Sequence, residues 1–137
     1  MNKNHIFVDT NVLLGYFIKQ QRDVEALMYL FSLIGKKLYI SSLSIAQVVS
    51  VLQKKQTNET ITDFVRYLIS KFNVISFTEN DAKEALKLKG SDIENNTQYA
   101  MAIKLKCFRF VTNNVKDYTN FEDIDVVKPA KIRKIPR

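Results

Sequence analysis

Residues 5–17 have the sequence HIFVDTNVLLGYF, in which a short apolar run is followed by three polar residues and then an amphipathic segment. The run at 5–8 has the length and composition of a buried strand, and the residues after Asn11 continue with helical spacing. Asp9 therefore stands where a strand ends and a helix begins. In open α/β sheets, ligands bind at this end of the strands. The stretch predicts an α/β fold with Asp9 at its functional edge.

Further apolar runs predict the rest of the sheet. Segments with helical spacing lie between them, and strands separated by helices imply right-handed crossovers. We therefore predict a three-layer α/β/α sandwich with a mostly parallel central sheet of four or five strands. The additional strands are expected at 37–41, 73–77, 108–112 and, more weakly, 123–127.

Four helix starts carry a hydroxyl residue three positions before an acid or an amide. In a capping box, the hydroxyl accepts a hydrogen bond from a free backbone N–H, and the later side chain reaches back. We predict such boxes at Ser44–Gln47, Thr60–Asp63, Thr78–Asp81 and Ser91–Glu94.

The composition fits one compact domain and excludes several classes of protein. The chain has 137 residues, and 46% of them are hydrophobic, which is ordinary for a globular fold. No apolar run approaches the roughly 20 residues of a membrane span, and the N-terminus lacks the pattern of a secretory signal. The single cysteine, Cys107, fits a reducing cytoplasm and a buried position. The single histidine, His5, makes a zinc site improbable.

The charge favours an acidic partner such as nucleic acid. The formal net charge is +7 and the pI is about 9.5. Five of the cations lie in the last ten residues, KPAKIRKIPR, which contain no acid. We therefore divide the chain into a domain at 1–127 and a basic tail at 128–137. The tail is either a solvated end or a segment across a phosphate-binding cleft, and its candidate nucleic-acid contacts are Lys128, Lys131, Arg133 and Lys134.

Oxygen-rich side chains are predicted to meet at one crevice. Asp9 follows the first strand, and a polar cluster from Thr112 to Asp117 follows the fourth. On the helix before that strand, Asp92, Asn95 and Tyr99 have the spacing of one face, and Glu94 is expected to point elsewhere. Such donors suit Mg²⁺ or Mn²⁺ and metal-assisted hydrolysis of a phosphodiester. The chain has no nucleotide-binding glycine motif and no serine hydrolase motif.

Four segments in this order resemble the PIN domain family, which includes the toxin nucleases of bacterial VapC-type toxin–antitoxin pairs. They are IFVDTNVLLGYF at 6–17, ISSLSIAQVVSVL at 40–52, SDIENNTQYAMAI at 91–103 and FVTNNVKDY at 110–118. The resemblance implies a ribonuclease that uses Mg²⁺ or Mn²⁺ held by three or four acidic residues. It also implies an antitoxin partner and a homodimer.

Matched position by position, the resemblance assigns the site but replaces two acids by amides. Asp9 matches the first aspartate of the family pattern, and Asn11 is its usual neighbour. Gln47 stands where many members have glutamate, and Asn95 stands where they have a second aspartate. The remaining matches are Asp92 and Glu94 in the D-F-E-D-A-type segment, and Asn114 and Asp117 in the T-R-N-x-K-D-F pattern.

We therefore predict that Asp9, Asp92 and Asp117 are the catalytic residues and, with Asn95, the metal ligands. The predicted supporting polar residues are Asn11, Gln47, Glu94, Thr112 and Asn114. The leading hypothesis is a divalent-metal-dependent ribonuclease, possibly the toxin of a toxin–antitoxin pair. The two amides support a different hypothesis, in which a catalytically weakened PIN-fold module binds RNA or a protein partner.

Overall fold

The computed structural model describes residues 1–134, with side chains through Arg133. The five strands are β1 (Asn2–Val8), β2 (Lys37–Ser41), β3 (Asn73–Ile75), β4 (Cys107–Val111) and β5 (Asp125–Val127). The six α-helices are α1 (Thr10–Phe17), α2 (Gln21–Ser32), α3 (Ser42–Leu52), α4 (Asn58–Lys71), α5 (Glu79–Leu86) and α6 (Ile93–Lys104). Two 3₁₀ helices, Val115–Tyr118 and Pro129–Lys134, flank β5.

The strands form one parallel sheet in the order β3-β2-β1-β4-β5. The N-terminal strand is therefore central, and the chain order of its neighbours reverses on either side of it. Val8 pairs with Val111, so β1 and β4 end side by side. This reversal point is where an open α/β sheet forms a crevice for ligands.

Alternation along the strands divides the core into two clusters, one on each face of the sheet. Ile6 and Val8 belong to the first cluster with residues of α1, α2, α3 and α4. Phe7 belongs to the second cluster, with Tyr99 of α6 and Phe110 of β4. Because successive strand side chains point to opposite faces, a strand covered by helices on both sides is apolar throughout. The predicted three-layer α/β/α sandwich is confirmed.

Three of the four predicted capping boxes are wrong. Thr78 and Asp81 form the predicted box at the start of α5. At α3, α4 and α6, a neighbouring polar residue caps the helix instead, namely Ser41, Thr57 and Asp92. Serine, threonine and aspartate are comparably good caps. Where several of them lie close together, the sequence does not show which one is the cap, and the predicted start of the helix can be wrong by one to three residues.

The C-terminal segment packs on the first core cluster as far as the structure describes it. The 3₁₀ helix Pro129–Lys134 lies against α2, and Ile132 is buried in the cluster. The guanidinium of Arg133 lies 5.6 Å from the ring centre of Tyr29. The described part of this segment is therefore anchored on the first core cluster through Ile132, while Lys128, Lys131 and Arg133 are exposed. The side chain of Lys134 and residues 135–137 lie outside the described part.

Within residues 1–134, no helix combines the length and the apolar character that crossing a membrane would require.

Candidate functional site at the ends of β1 and β4

Asp9 links the end of β1 to the start of α1 and is almost completely buried. Its carboxylate accepts four hydrogen bonds. Oδ1 accepts one from the backbone N of Thr10 at 2.8 Å. Oδ2 accepts three, from the hydroxyls of Thr112 (2.9 Å) and Tyr118 (3.0 Å) and from the amide of Asn11 (3.2 Å). These bonds fix the carboxylate between the two strand ends.

Burial dominates the electrostatics of Asp9. Loss of hydration raises the pKa of this carboxyl, and the donors Thr112, Tyr118 and Thr10 offset part of that shift. The negative charge of Glu94 raises the pKa further. No Lys or Arg among the described residues pairs with Asp9. Its charge is therefore uncompensated within this part of the protein.

Asp9 lines a crevice of about 340 Å³ between α1, α3, α6 and the loop after β4. Four residues of the predicted site share this lining, namely Asn11, Gln47, Asn95 and Asn114. Glu94 also lines it, so the expectation that Glu94 points elsewhere is wrong. The face of α6 that covers the crevice carries Glu94, Asn95 and Gln98, whose spacing places them on one side of the helix.

Asp92 is the N-cap of α6 and does not line the crevice. Its carboxylate accepts a hydrogen bond from the backbone N of Asn95 at 3.0 Å. Ser91 and Glu94 therefore do not form the predicted box. The predicted common face of Asp92, Asn95 and Tyr99 is also absent, because Tyr99 is buried in the second core cluster.

Asp117 lies on the exposed side of the 3₁₀ helix that follows β4 and also does not line the crevice. The chain turns there so that the next residue, Tyr118, points inward. The hydroxyl of Tyr118 is close to both Asp9 and Asn95, the second contact being 3.2 Å. The sequence favoured Asp117 as a site residue because its side chain is acidic. In the structure, Tyr118 is the residue that contacts the buried carboxylate of Asp9.

A second polar network closes the other side of the crevice. The hydroxyls of Thr10 and Ser44 are 2.7 Å apart. The amide of Gln98 donates to both at 2.9 Å and is 3.3 Å from Oε1 of Gln47. Sequence reasoning did not select Thr10, Ser44 or Gln98. The available signal for Gln98 was its position one helical turn after Asn95.

A family model described as the PIN domain matches residues 6–124. The chain belongs to the PIN domain family.

Solved structures share this PIN fold at low sequence identity. VapBC-1 from nontypeable Haemophilus influenzae has a TM-score of 0.73 and 17% identity, over 93% of this chain and 99% of that chain. VapBC2 from Rickettsia felis, bound to a DNA fragment from their promoter, has a TM-score of 0.72 and 16% identity, over 90% and 98%. VapC20 from Mycobacterium tuberculosis, a sarcin-ricin loop cleaving toxin, has a TM-score of 0.66 and 10% identity, over 87% and 98%. No curated protein matches the chain.

PIN nucleases generally use divalent metals, and the donors of this crevice determine whether such an ion fits here. The described residues contain no group of three or more His, Cys, Asp and Glu side chains placed to hold a metal. Two carboxylates, Asp9 and Glu94, line the crevice, and its lining includes no Lys or Arg among the residues described. Mg²⁺ commonly uses one or two carboxylates, several waters and the phosphates of its substrate. The donors therefore fit a hydrated ion whose coordination shell is completed by the substrate. They do not fit an ion that is held by protein ligands alone.

Proposed function

We propose that this PIN-family protein is a divalent-metal-dependent ribonuclease that cuts RNA in the crevice beside Asp9. The observation that carries the proposal is the pair of carboxylates in a crevice lined by no cation among the described residues. An RNA phosphate brought to Asp9 and Glu94 would meet net negative charge. A bound Mg²⁺ or Mn²⁺ removes that repulsion, so the charge pattern supports a site that takes phosphate and metal together.

In this proposal, Asp9 is the central metal ligand. Its Oδ1 accepts a single protein hydrogen bond, from Thr10, whereas Oδ2 accepts three. Oδ1 therefore retains acceptor capacity toward the crevice. When bound, the ion lowers the pKa of a coordinated water and stabilises charge on the phosphate oxygens. Burial of Asp9 strengthens its attraction for a cation, because the surroundings screen the charge less than water does.

Glu94 takes the role of second carboxylate in this proposal, in place of Asp92. Asp92 would have to give up its bond to the start of α6 in order to reach the crevice. Asn95, Gln47 and Asn114 line the crevice and would orient water or phosphate through neutral groups. Asp117 remains a predicted ligand that would act from the rim.

A second candidate function is a PIN-fold module that binds RNA or protein with weakened catalysis. It is favoured by the two amides, whose oxygens are within hydrogen-bonding distance of protein groups. Oε1 of Gln47 is next to Thr10 and Gln98, and Oδ1 of Asn95 is next to Tyr118. Each missing carboxylate also reduces the attraction for a cation.

One assay separates the two functions. Purified protein is incubated with single-stranded RNA and Mn²⁺ or Mg²⁺, beside the Asp9→Asn variant and a control with chelator. Metal-dependent cutting that disappears in Asp9→Asn is the expected result. If wild type and variant show equal background cutting while both still bind RNA, the nuclease proposal fails and the binding module is the better account.

We also propose an antitoxin-type protein partner, because the structural neighbours include a toxin–antitoxin complex from Klebsiella pneumoniae (TM-score 0.69, 22% identity, 90% of this chain and 97% of that chain). Co-expression with the product of the adjacent reading frame, followed by sedimentation, tests for a defined complex. The same runs on the isolated protein test the predicted homodimer. A single monomeric species in both runs would contradict both proposals.

A further inference from the structure

Asp23 is a fully buried carboxylate in the first turn of α2, outside the crevice lining. Its Oδ1 accepts a hydrogen bond from the side-chain amide of Asn113 at 2.9 Å. Its Oδ2 accepts no hydrogen bond from the described residues and lies 3.6 Å from Nε of Arg22, whose side chain is 55% exposed. Burying a charge with so few partners is costly. Stability alone therefore does not account for aspartate at this position.

The neighbouring helix is shaped to admit this carboxylate. Gly15 lies in α1, and a Cβ added there would collide with Oδ2 and Cγ of Asp23. Glycine inside a helix costs about 1 kcal/mol relative to alanine. Two unfavourable choices thus meet at one contact, where the absence of a side chain at Gly15 leaves room for the carboxylate that bonds Asn113.

A continuous set of hydrogen bonds leads from Asp23 to the crevice. Asn113, which Asp23 holds by its side chain, donates its backbone N–H to Oδ1 of Asn11 at 3.0 Å. Because this bond occupies Oδ1 of Asn11, the Nδ2 group of the same side chain points toward Asp9 and Thr112. Nδ2 donates to Oδ2 of Asp9 at 3.2 Å and to the hydroxyl of Thr112 at 3.1 Å.

We propose that Asp23 is a positioning residue for the crevice. It anchors Asn113, which orients Asn11, which in turn orients the carboxylate of Asp9 together with Thr112. The role of Asp9 as a ligand rests on the proposed function, but the hydrogen-bonded chain does not. Polar partners behind metal ligands commonly set affinity by fixing ligand orientation.

The test compares Asp23→Ala, which removes the acceptor for Asn113, with Asp23→Asn, which retains one. The first readout is metal-free: the side-chain amide signals of Asn11 and Asn113 in ¹H–¹⁵N spectra. The second is Mn²⁺ affinity by calorimetry. We expect Asp23→Ala to shift the Asn11 signals and to weaken Mn²⁺ binding by about tenfold. Asp23→Asn is expected to stay close to wild type in both measurements.

A purely structural role predicts a different result. Asp23→Ala would then lower the melting temperature but leave the Asn11 signals and the Mn²⁺ affinity unchanged, and the proposal would be overturned. If Asp23→Ala does not fold, Asn113→Ala breaks the same chain from the half-exposed loop. Unmoved Asn11 signals in that variant would also overturn the proposal.

The two proposals fail in different ways. If wild type neither binds Mn²⁺ nor cuts RNA, the proposed ribonuclease fails, and the Asn11 signals still decide whether Asp23 positions the crevice. If wild type cuts RNA but Asp23→Ala matches it in every readout, Asp23 has no positioning role.

Discussion

The hydroxyl of Tyr118 lies 3.0 Å from Oδ2 of Asp9 and 3.2 Å from the side-chain oxygen of Asn95. A phenol has one proton, and an ionised carboxylate can only accept. In this arrangement the hydroxyl of Tyr118 points at both oxygens, so its bonds to Asp9 and to Asn95 share one proton. The charged carboxylate of Asp9 is the stronger acceptor of the two.

Tyr118→Phe is expected to raise the pKa of Asp9, because the variant loses a donor that stabilises the charged form. Losing the bond should also lower the free energy of unfolding by about 1–3 kcal/mol. The measurements are a carboxyl titration by NMR and a urea denaturation curve. Tyr16→Phe is the matched control, because its hydroxyl bonds Tyr67 and not Asp9. An unshifted Asp9 titration in Tyr118→Phe would contradict the expectation.

Glu94→Gln is expected to weaken Mn²⁺ binding, whereas Asp92→Asn should not. Both substitutions remove one negative charge near the start of α6, but Glu94 lines the crevice and Asp92 caps the helix. Asp92→Asn should preserve the helix as well, since asparagine is an equally good N-cap. Calorimetric titration of both variants makes the comparison. A larger loss of affinity in Asp92→Asn would restore Asp92 as the metal ligand.

Asn95→Asp is expected to tighten Mn²⁺ binding, because it adds a carboxylate beside Asp9 and Glu94. The same change should lower stability when metal is absent, since three acids would then share the crevice. Melting temperatures with and without Mn²⁺ measure both effects. Equal Mn²⁺ affinity in Asn95→Asp and wild type would show that position 95 does not reach the ion.

Replacing Lys128, Lys131 and Arg133 with glutamine is expected to flatten the salt dependence of RNA binding. If all three contact phosphates, the slope of log K against log salt should fall by about two for single-stranded RNA. Substitution is used instead of truncation, because truncation would also remove Ile132, which is buried in the first core cluster. Lys83, Lys87 and Lys89 changed to glutamine provide a control of equal charge. The same slope in both triple variants would mean that these cations have no specific role.

Asp81 is expected to make the free energy of unfolding depend on pH in the acid range. Burial raises the pKa of Asp81, but hydrogen bonds from Thr78 and Lys104 outweigh it and leave the pKa below its usual 3.8. The stabilisation is therefore present above about pH 3.8 and is lost as the pH falls through the folded-state pKa. Denaturation curves between pH 7 and the acid range should show this loss in wild type, and a smaller loss in Asp81→Asn. An equal loss of stability with falling pH in wild type and Asp81→Asn would contradict this expectation.

The sheet could be predicted because its strands are short apolar runs that end in polar residues. The same reasoning found Asp9, whose position depends on one strand end. It misplaced Asp92 because that residue is the N-cap and does not follow the helical spacing. It misplaced Glu94 because the crevice is wide enough to include two adjacent residues of α6, whose side chains differ in direction by about 100°. The two adjacent cap candidates, Ser91 and Asp92, gave no local signal for choosing between them.

Tyr118 and Asp23 could not be found from local pattern. An aromatic residue after a polar turn is usually core, and Tyr118 is indeed buried. An acid in the first turn of a helix is usually a favourable charge near the helix dipole. Asp23 meets Asn113 across 90 positions of sequence. Contacts of that kind depend on the assembled sheet, and Gly15 inside α1 was the single local hint.

The central position of β1 affects how this protein acquires its site. Asp9 and Thr112 are 103 residues apart in sequence, so the crevice requires the closure of a very long loop. Closing such a loop lowers the conformational entropy of the chain before the contact contributes any stabilisation. Parallel sheets with distant pairings fold slowly for that reason. A chain with β1, β2 and β3 already paired would still lack the lining that α6 and the loop after β4 supply. The folding protein is therefore expected to gain its site only when α6 and β4 pack against β1.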